Sequence, residues 1–143
     1  MKRVFIDANI VIDYLDASSK DHTVALHCLR IIRKYFGKPI VSPATFIITN
    51  FILGKFIKSK SWHKKQMQLT FSEFEITFVK PLFITAIFET NFTDLEDALQ
   101  YQCALSAKAA VILTKDISDF FDSKIPVIHP NDFVTRYNAL TKY

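Results

Sequence analysis

Five aspartates in this chain have the surroundings that cation chemistry requires. Asp7 closes the apolar run Val4-Phe5-Ile6. That run has the length and side-chain types of a short buried strand. A carboxylate ending a buried strand must meet water, a donor or a cation, because burying a bare charge is costly. In an open parallel sheet the carboxyl ends of the strands line the ligand crevice. Asp116 follows Val111-Ile112-Leu113-Thr114-Lys115 in a similar way, and Asp119 lies three residues further on. Asp94 and Asp97 are three apart at the start of a helical stretch and share one face, with Glu96 between them on another face. Converging carboxylates repel one another unless cations bind among them. All-oxygen ligands select Mg²⁺ or Mn²⁺ over zinc, and such ions suit phosphodiester hydrolysis.

Each acid also has a purely structural reading. Asp7 and Asp94 can cap helices, acids in a first helical turn favour the helix dipole, and Asp119 can be a turn residue. No other catalytic set competes. With only Gly37 and Gly54 there is no phosphate-cradling loop, and no serine elbow is present. His22, His27, His63 and His129 lack zinc-ligand spacing.

The elements that must position these acids alternate. After the strand at Val4–Ile6, Asn9 to Leu15 opens a helix, and Asp21 to Phe36 reads as an amphipathic helix stopped by Gly37 and Pro39. Ile40-Val41 forms a very short strand. Ser42-Pro43 caps a helix running to about Lys58. Trp62 to Phe71 is helical, and Phe74 to Phe78 alternates as a strand. Pro81 opens a helix to about Thr90, and Asp94 caps one reaching Ala110. Val111–Thr114 and Pro126–Ile128 are strands, and Asn131-Asp132 caps a terminal helix. Strands alternating with helices predict an α/β sandwich around a mainly parallel sheet.

At 143 residues the chain is expected to form one domain, residues 1–143. No apolar run reaches membrane-spanning length, and no signal-peptide core is present. Cys28 and Cys103 read as buried free thiols in a reducing cytoplasm. Net charge is +4, but unevenly spread. Between His22 and Phe71 there are nine Lys or Arg and no acid, leaving all fourteen acids elsewhere. A basic face suits a polyanion and an acidic cluster suits a cation, although charge runs also occur on ordinary solvated helices. The concentration of Phe46, Phe51, Phe56 and Trp62 in one region leads us to expect a homodimer through the helices before and after Gly37, unless these side chains fill the core.

Val4 to Asp13, then Asp94-Leu95-Glu96-Asp97-Ala98-Leu99-Gln100-Tyr101, then Leu113 to Phe120, resemble the PIN-domain family, and Ile125 to Phe133 is similar to the ending of its small bacterial members. The resemblance covers nearly the whole chain. It implies a five-stranded sheet in order 3-2-1-4-5, an Mg²⁺- or Mn²⁺-dependent ribonuclease, and a toxin role neutralised by an antitoxin protein. By motif position it places Asp7, Asp97, Asp116 and Asp119 on the metal ligands and catalytic acids. Asn9 matches a polar residue that orients a water on the metal. Asp94 and Thr114 are expected in support. Lys55, Lys58, Lys60, Lys64 and Lys65, within the basic window, are expected to hold the RNA backbone. The sequence departs from the family at one point. Many members carry an acid, usually Glu, in the helix after strand two, where this chain has Ile48, Thr49 and Asn50. That departure favours the alternative of a degenerate PIN fold that binds RNA or protein without cleaving. A phospho-accepting receiver domain fits less well, because Asp7 has no acidic neighbour.

Overall fold

The structure is a computed structural model and describes residues 2–138. Five short strands form one parallel sheet: β1 (Val4–Ile6), β2 (Ile40–Val41), β3 (Glu75–Ile76), β4 (Val111–Leu113) and β5 (Val127–Ile128), in spatial order β3-β2-β1-β4-β5. The register pairs Phe5 with Ile40 and, on the other side, Ile6 with Leu113. Seven α-helices are described: α1 (Ala8–Leu15), α2 (His22–Tyr35), α3 (Pro43–Phe56), α4 (Lys60–Ser72), α5 (Pro81–Ala86), α6 (Leu95–Ser106) and α7 (Pro130–Tyr137). Short 3-10 turns at Ile87–Glu89 and Ile117–Phe120 complete the path.

Alternation along the strands divides the core into two layers. Val4, Ile6, Val41 and Leu113 face one side and pack with Ile10, Val11, Cys28, Leu29, Ile32 and Phe133. Phe5, Ile40 and Ile112 face the other side and pack with Ala98, Tyr101, Cys103, Ala104 and Phe120. The result is a three-layer α/β/α sandwich with the strand order the family resemblance implies. Both cysteines are buried free thiols. Burial pushes the Cys28 thiol up to about 12, so it behaves as a small apolar group. Among the described residues no helix is long and apolar enough to cross a membrane.

Several element ends differ from the sequence expectation, each for a local reason. The Phe74–Phe78 alternation yields only Glu75–Ile76 as strand, because β2 is two residues long; Thr77 N–H takes its last carbonyl, Val41, at 2.9 Å. The helix after Ser59 begins at Lys60, since the Ser59 hydroxyl accepts from the Trp62 backbone N–H at 3.3 Å. The terminal helix is capped by His129, whose Nδ1 accepts from Asn131 N–H at 3.1 Å, with Pro130 at the first position. Gly37 takes φ 99° just after α2, a left-handed conformation that favours glycine.

The helix expected to reach Ala110 ends at Ser106. There Lys108 adopts φ 55°, the left-handed conformation a glycine usually supplies at a helix end. Lys108 is exposed, and Ala109 N–H closes the turn onto Ala104 carbonyl at 3.0 Å. We therefore expect Lys108→Gly to stabilise the fold by roughly 0.5–1 kcal/mol, because it removes the Cβ clash of the left-handed state. A melting temperature raised by about 2–4 °C is the expected result. An unchanged or lowered value would show that the turn carries no strain.

Candidate metal centre

Asp7 reaches its place through the β1–β4 register. Its backbone N–H continues the ladder onto Leu113 carbonyl at 3.0 Å, so the residues following both strands emerge side by side. Asp7 is also the N-cap of α1, accepting from Ala8 N–H at 2.7 Å. Its other oxygen accepts the Thr114 hydroxyl at 2.8 Å. Asp7 is only 4% exposed. Burial pushes its carboxyl up, and the neighbouring Asp116 adds to this, while the Thr114 and Ala8 hydrogen bonds oppose it.

Asn9, on the first turn of α1, links the two strand ends. Its amide Nδ2 donates to Asp116 at 3.1 Å, and longer contacts reach Thr114 Oγ1 at 3.3 Å and Asp7 at 3.4 Å. Thr114 Oγ1 in turn accepts from Asp116 N–H at 3.0 Å. One amide and one hydroxyl thus tie Asp7 to Asp116.

The remaining acids come from α6 and the turn after β4. Asp94 caps α6 by accepting from Asp97 N–H at 3.0 Å, which fixes Asp97 in the first helical turn. Asp97 and Gln100 sit one turn apart on a buried face of α6. Asp119 lies in the 3-10 turn anchored by Phe120, whose buried ring packs against Phe92 at 5.9 Å between centroids. The charges of Asp7, Asp94, Asp119 and Glu96 all act on Asp97. Together with burial, which is the larger cause, they push its carboxyl up to about 8. Glu96 is raised by burial and by Asp7 and Asp94. These acids therefore share one electrostatic neighbourhood. Among the described residues, however, no three stand as a ready-made ligand cluster for an ion.

Some participants escaped the sequence reading. Gln100 is fully buried and donates through Nε2 to Thr45 Oγ1 at 3.1 Å and to Asp7 at 3.4 Å. Its Oε1 accepts the Ser42 hydroxyl. Only burial of a long polar side chain amid the apolar face of α6 could have signalled this, and sequence periodicity does not separate it from Gln102. Glu96, on a different face of α6 from Asp97, still feels the Asp7 charge.

At the position of the missing second-motif acid, Thr49 is buried, and its hydroxyl has no hydrogen-bond partner. It lines a cavity of about 220 Å³ with Ile12, Leu15, Leu53 and Phe56, between α1 and α3. Asn50 is exposed. Lys55, Lys58, Lys60, Lys64 and Lys65 are all exposed along the end of α3, the loop and α4. Lys55 stands over the Phe51 ring at 4.4 Å from its centroid. It lies ten residues beyond Thr45, about 15 Å along the helix axis.

The raised Asp97 carboxyl sets a pH dependence for the metal-free fold. Between the ordinary carboxylate range and about pH 8, folded Asp97 holds a proton that the unfolded chain releases. Stability therefore falls as pH rises through this window, and the penalty is complete above it. Asp97→Asn is expected to flatten that slope and to raise the melting temperature at pH 8.5 by at least about 2 °C in EDTA. Parallel melting curves for the variant and the wild type from pH 5 to 8.5 would contradict it.

Residues 3–118 match the PIN domain family. Ribonuclease VapC1 of Aquifex aeolicus (strain VF5) is 29% identical over an alignment of 143 positions that covers 97% of this chain and 98% of the relative. Among solved structures, PAE2754 from Pyrobaculum aerophilum aligns with a TM-score of 0.66 at 16% identity, covering 96% of each chain. VapBC2 from Rickettsia felis, bound to a DNA fragment from its promoter, aligns at 0.63 with 14% identity over 88% of this chain and 97% of that one. The structural likenesses carry the fold and the sequence match carries the family: this chain belongs to the PIN domain family.

Proposed function

We propose that residues 1–143 form one PIN-like domain that hydrolyses RNA phosphodiester bonds with Mg²⁺ or Mn²⁺, and that it is the toxin of a toxin–antitoxin pair in the cytoplasm. The observation that carries the reading is the pair of strand-end carboxylates, Asp7 and Asp116, joined through Asn9. The donor set fits a hard cation. It is all oxygen, and its mutual repulsion, expressed on Asp97, is what a divalent ion relieves. Asp7, Asp97, Asp116 and Asp119 would hold the ion. When bound, it supplies charge neutralisation at phosphorus and a more acidic water.

The chain's own groups do the rest. Asn9 and Thr114 hold Asp7 and Asp116 in fixed orientation. Asp94 fixes the first turn of α6. The lysines of the α3–α4 arm hold the RNA backbone as counter-charges. We infer weak ion binding in the free protein and tighter binding once an RNA phosphate joins, a reading in keeping with the lack of a ready-made ligand cluster among the described residues. The relative named Ribonuclease VapC1 supports the reaction class, and the VapBC2 assembly supports a protein partner that acts as antitoxin. A second reading, a non-catalytic RNA- or protein-binding module, is favoured by one feature: Ile48, Thr49 and Asn50 provide no acid, and Thr49 faces a cavity lined largely by apolar side chains, with Asp16 and Ser18 at one side.

The exposed apolar surface of α3 supports a homodimer contact. Phe51 is 64% and Phe56 72% exposed. For α2 the support is weaker: Ala25, Cys28, Leu29, Ile31 and Ile32 are buried, Val24, Leu26 and Tyr35 are half-buried, and its exposed positions include Thr23, His27, Arg30 and Lys34.

Two measurements test these proposals. Purified protein should cleave single-stranded RNA with Mn²⁺, lose cleavage in EDTA, and fall at least about 100-fold in rate as Asp7→Asn, which removes charge while keeping shape. Undiminished cleavage in excess EDTA would overturn the metal reading. RNA binding without cleavage under any divalent ion would establish the second one. In sedimentation at tens of micromolar the protein should run as a dimer and Phe51→Glu as a monomer; a monomeric wild type would remove the α3 contact.

A further inference from the structure

Lys115 stands in the chain between two members of the acidic site, Thr114 and Asp116. Its side chain nonetheless turns the other way. The ammonium meets Asp13 Oδ2 at 2.7 Å and Asp21 Oδ2 at 3.2 Å. Asp13 belongs to α1, one turn after Asn9, and Asp21 precedes α2. The segment between them is folded onto the pair. The Ser19 hydroxyl donates to Asp13 Oδ1 at 2.8 Å, and His22 Nδ1 contacts the Asp13 carbonyl at 2.9 Å. The Asp13 side chain is 9% exposed and that of Lys115 29%, so this is a partly buried arrangement in which Coulomb attraction is less screened than at the surface.

Charge placement gives the arrangement a consequence. The hydrogen-bond partners of Asp7 and Asp116 are neutral: Asn9, Thr114, Gln100 and backbone N–H groups. Lys115 is the nearest cation along the chain, and its backbone N–H lies 3.5 Å from Asn9 Oδ1, beside the same acids. An ammonium on a flexible four-carbon stem, released from Asp13 and Asp21, would be free to turn toward Asp116, its neighbour in the chain, and toward Asp7, which Asn9 ties to Asp116. We propose that the Asp13–Lys115–Asp21 clamp holds this internal cation out of the acidic crevice and so leaves the carboxylates available to a divalent ion. Lys115 is a positioning residue in the negative sense: its placement keeps a competing charge away. This rests on the metal-site reading given above.

The test is Mn²⁺ affinity, read by electron paramagnetic resonance of free Mn²⁺, with far-UV circular dichroism as the check on folding. Asp13→Asn with Asp21→Asn frees the lysine and should weaken Mn²⁺ binding at least tenfold. Adding Lys115→Met to that double variant should restore affinity to within about threefold of wild type, because the competitor is then gone. Lys115→Met alone should bind Mn²⁺ no more weakly than wild type. If the clamp instead only braces Asp116, Lys115→Met alone and the triple variant will both bind as weakly as the double variant, which overturns the proposal. So does a double variant with wild-type affinity. Should the double variant not fold, Asp21→Asn alone serves: it removes the more exposed partner, should weaken binding two- to threefold, and should be reversed by Lys115→Met. Equal Mn²⁺ affinity in wild type and Asp7→Asn would overturn the metal site together with the clamp. Loss in Asp7→Asn beside indifference to the clamp variants would overturn the clamp alone.

Discussion

The Asp7 carboxylate is buried where two parallel strands end, and a buried charge has to be met by donors or by a cation. Much of the surrounding structure follows from that requirement. The β1–β4 register brings Thr114 beside Asp7, so one hydroxyl can donate across the sheet. The α1 N-terminus supplies a backbone N–H. Gln100, carried in from α6, adds a longer contact, and Ser42 and Thr45 hold that amide in place. These donors reduce the cost of burial without removing it, since the Asp7 carboxyl still stands above its ordinary range.

The residual cost is shared. Asp97 is raised by burial and by four neighbouring acids, which places the negative excess on the face between α6 and the β4 turn. Neutral groups tie the cluster together, and the lysine beside it is occupied by Asp13 and Asp21. A site so arranged stores repulsion that a divalent ion, or an ion with an anionic substrate, relieves. Among the described residues the acids are close in electrostatic terms yet form no ready-made ligand set.

Away from the crevice the chain exposes two kinds of surface. The basic residues of α3, its loop and α4 are exposed to solvent. Large apolar side chains, among them Ile47, Phe51, Phe56 and Trp62, are exposed on the same helices, although the two core layers are well filled without them. A second exposed apolar group, Phe78, Leu82 and Phe88, lies around α5. Exposed aromatic surface on this scale exceeds what solvation alone favours.

The sequence alone was enough for the alternation of strands and helices and for the strand ends at Asp7 and Asp116. Those features are local: an apolar run of a few residues, a cap, a glycine beyond a helix. The order 3-2-1-4-5 came from family resemblance, and pairings such as Ile6 with Leu113 appear only in the fold. What periodicity could not decide was which polar side chains meet across long separations. Gln100 joins Ser42, Thr45 and Asp7 from three distant segments, and nothing in its own neighbourhood distinguishes it from a solvated glutamine. Lys115 gave no sign that it turns toward Asp13 and Asp21 rather than toward Asp116. Short strands were overrun for a related reason: whether β3 extends past Ile76 depends on the length of β2, not on the pattern of β3 itself. Local chemistry chose the elements and the acids. Only tertiary packing decided which hydroxyl, amide and ammonium each acid would face, because hydrogen-bond and ion-pair partners are set by proximity in space, which the order of residues does not encode one residue at a time.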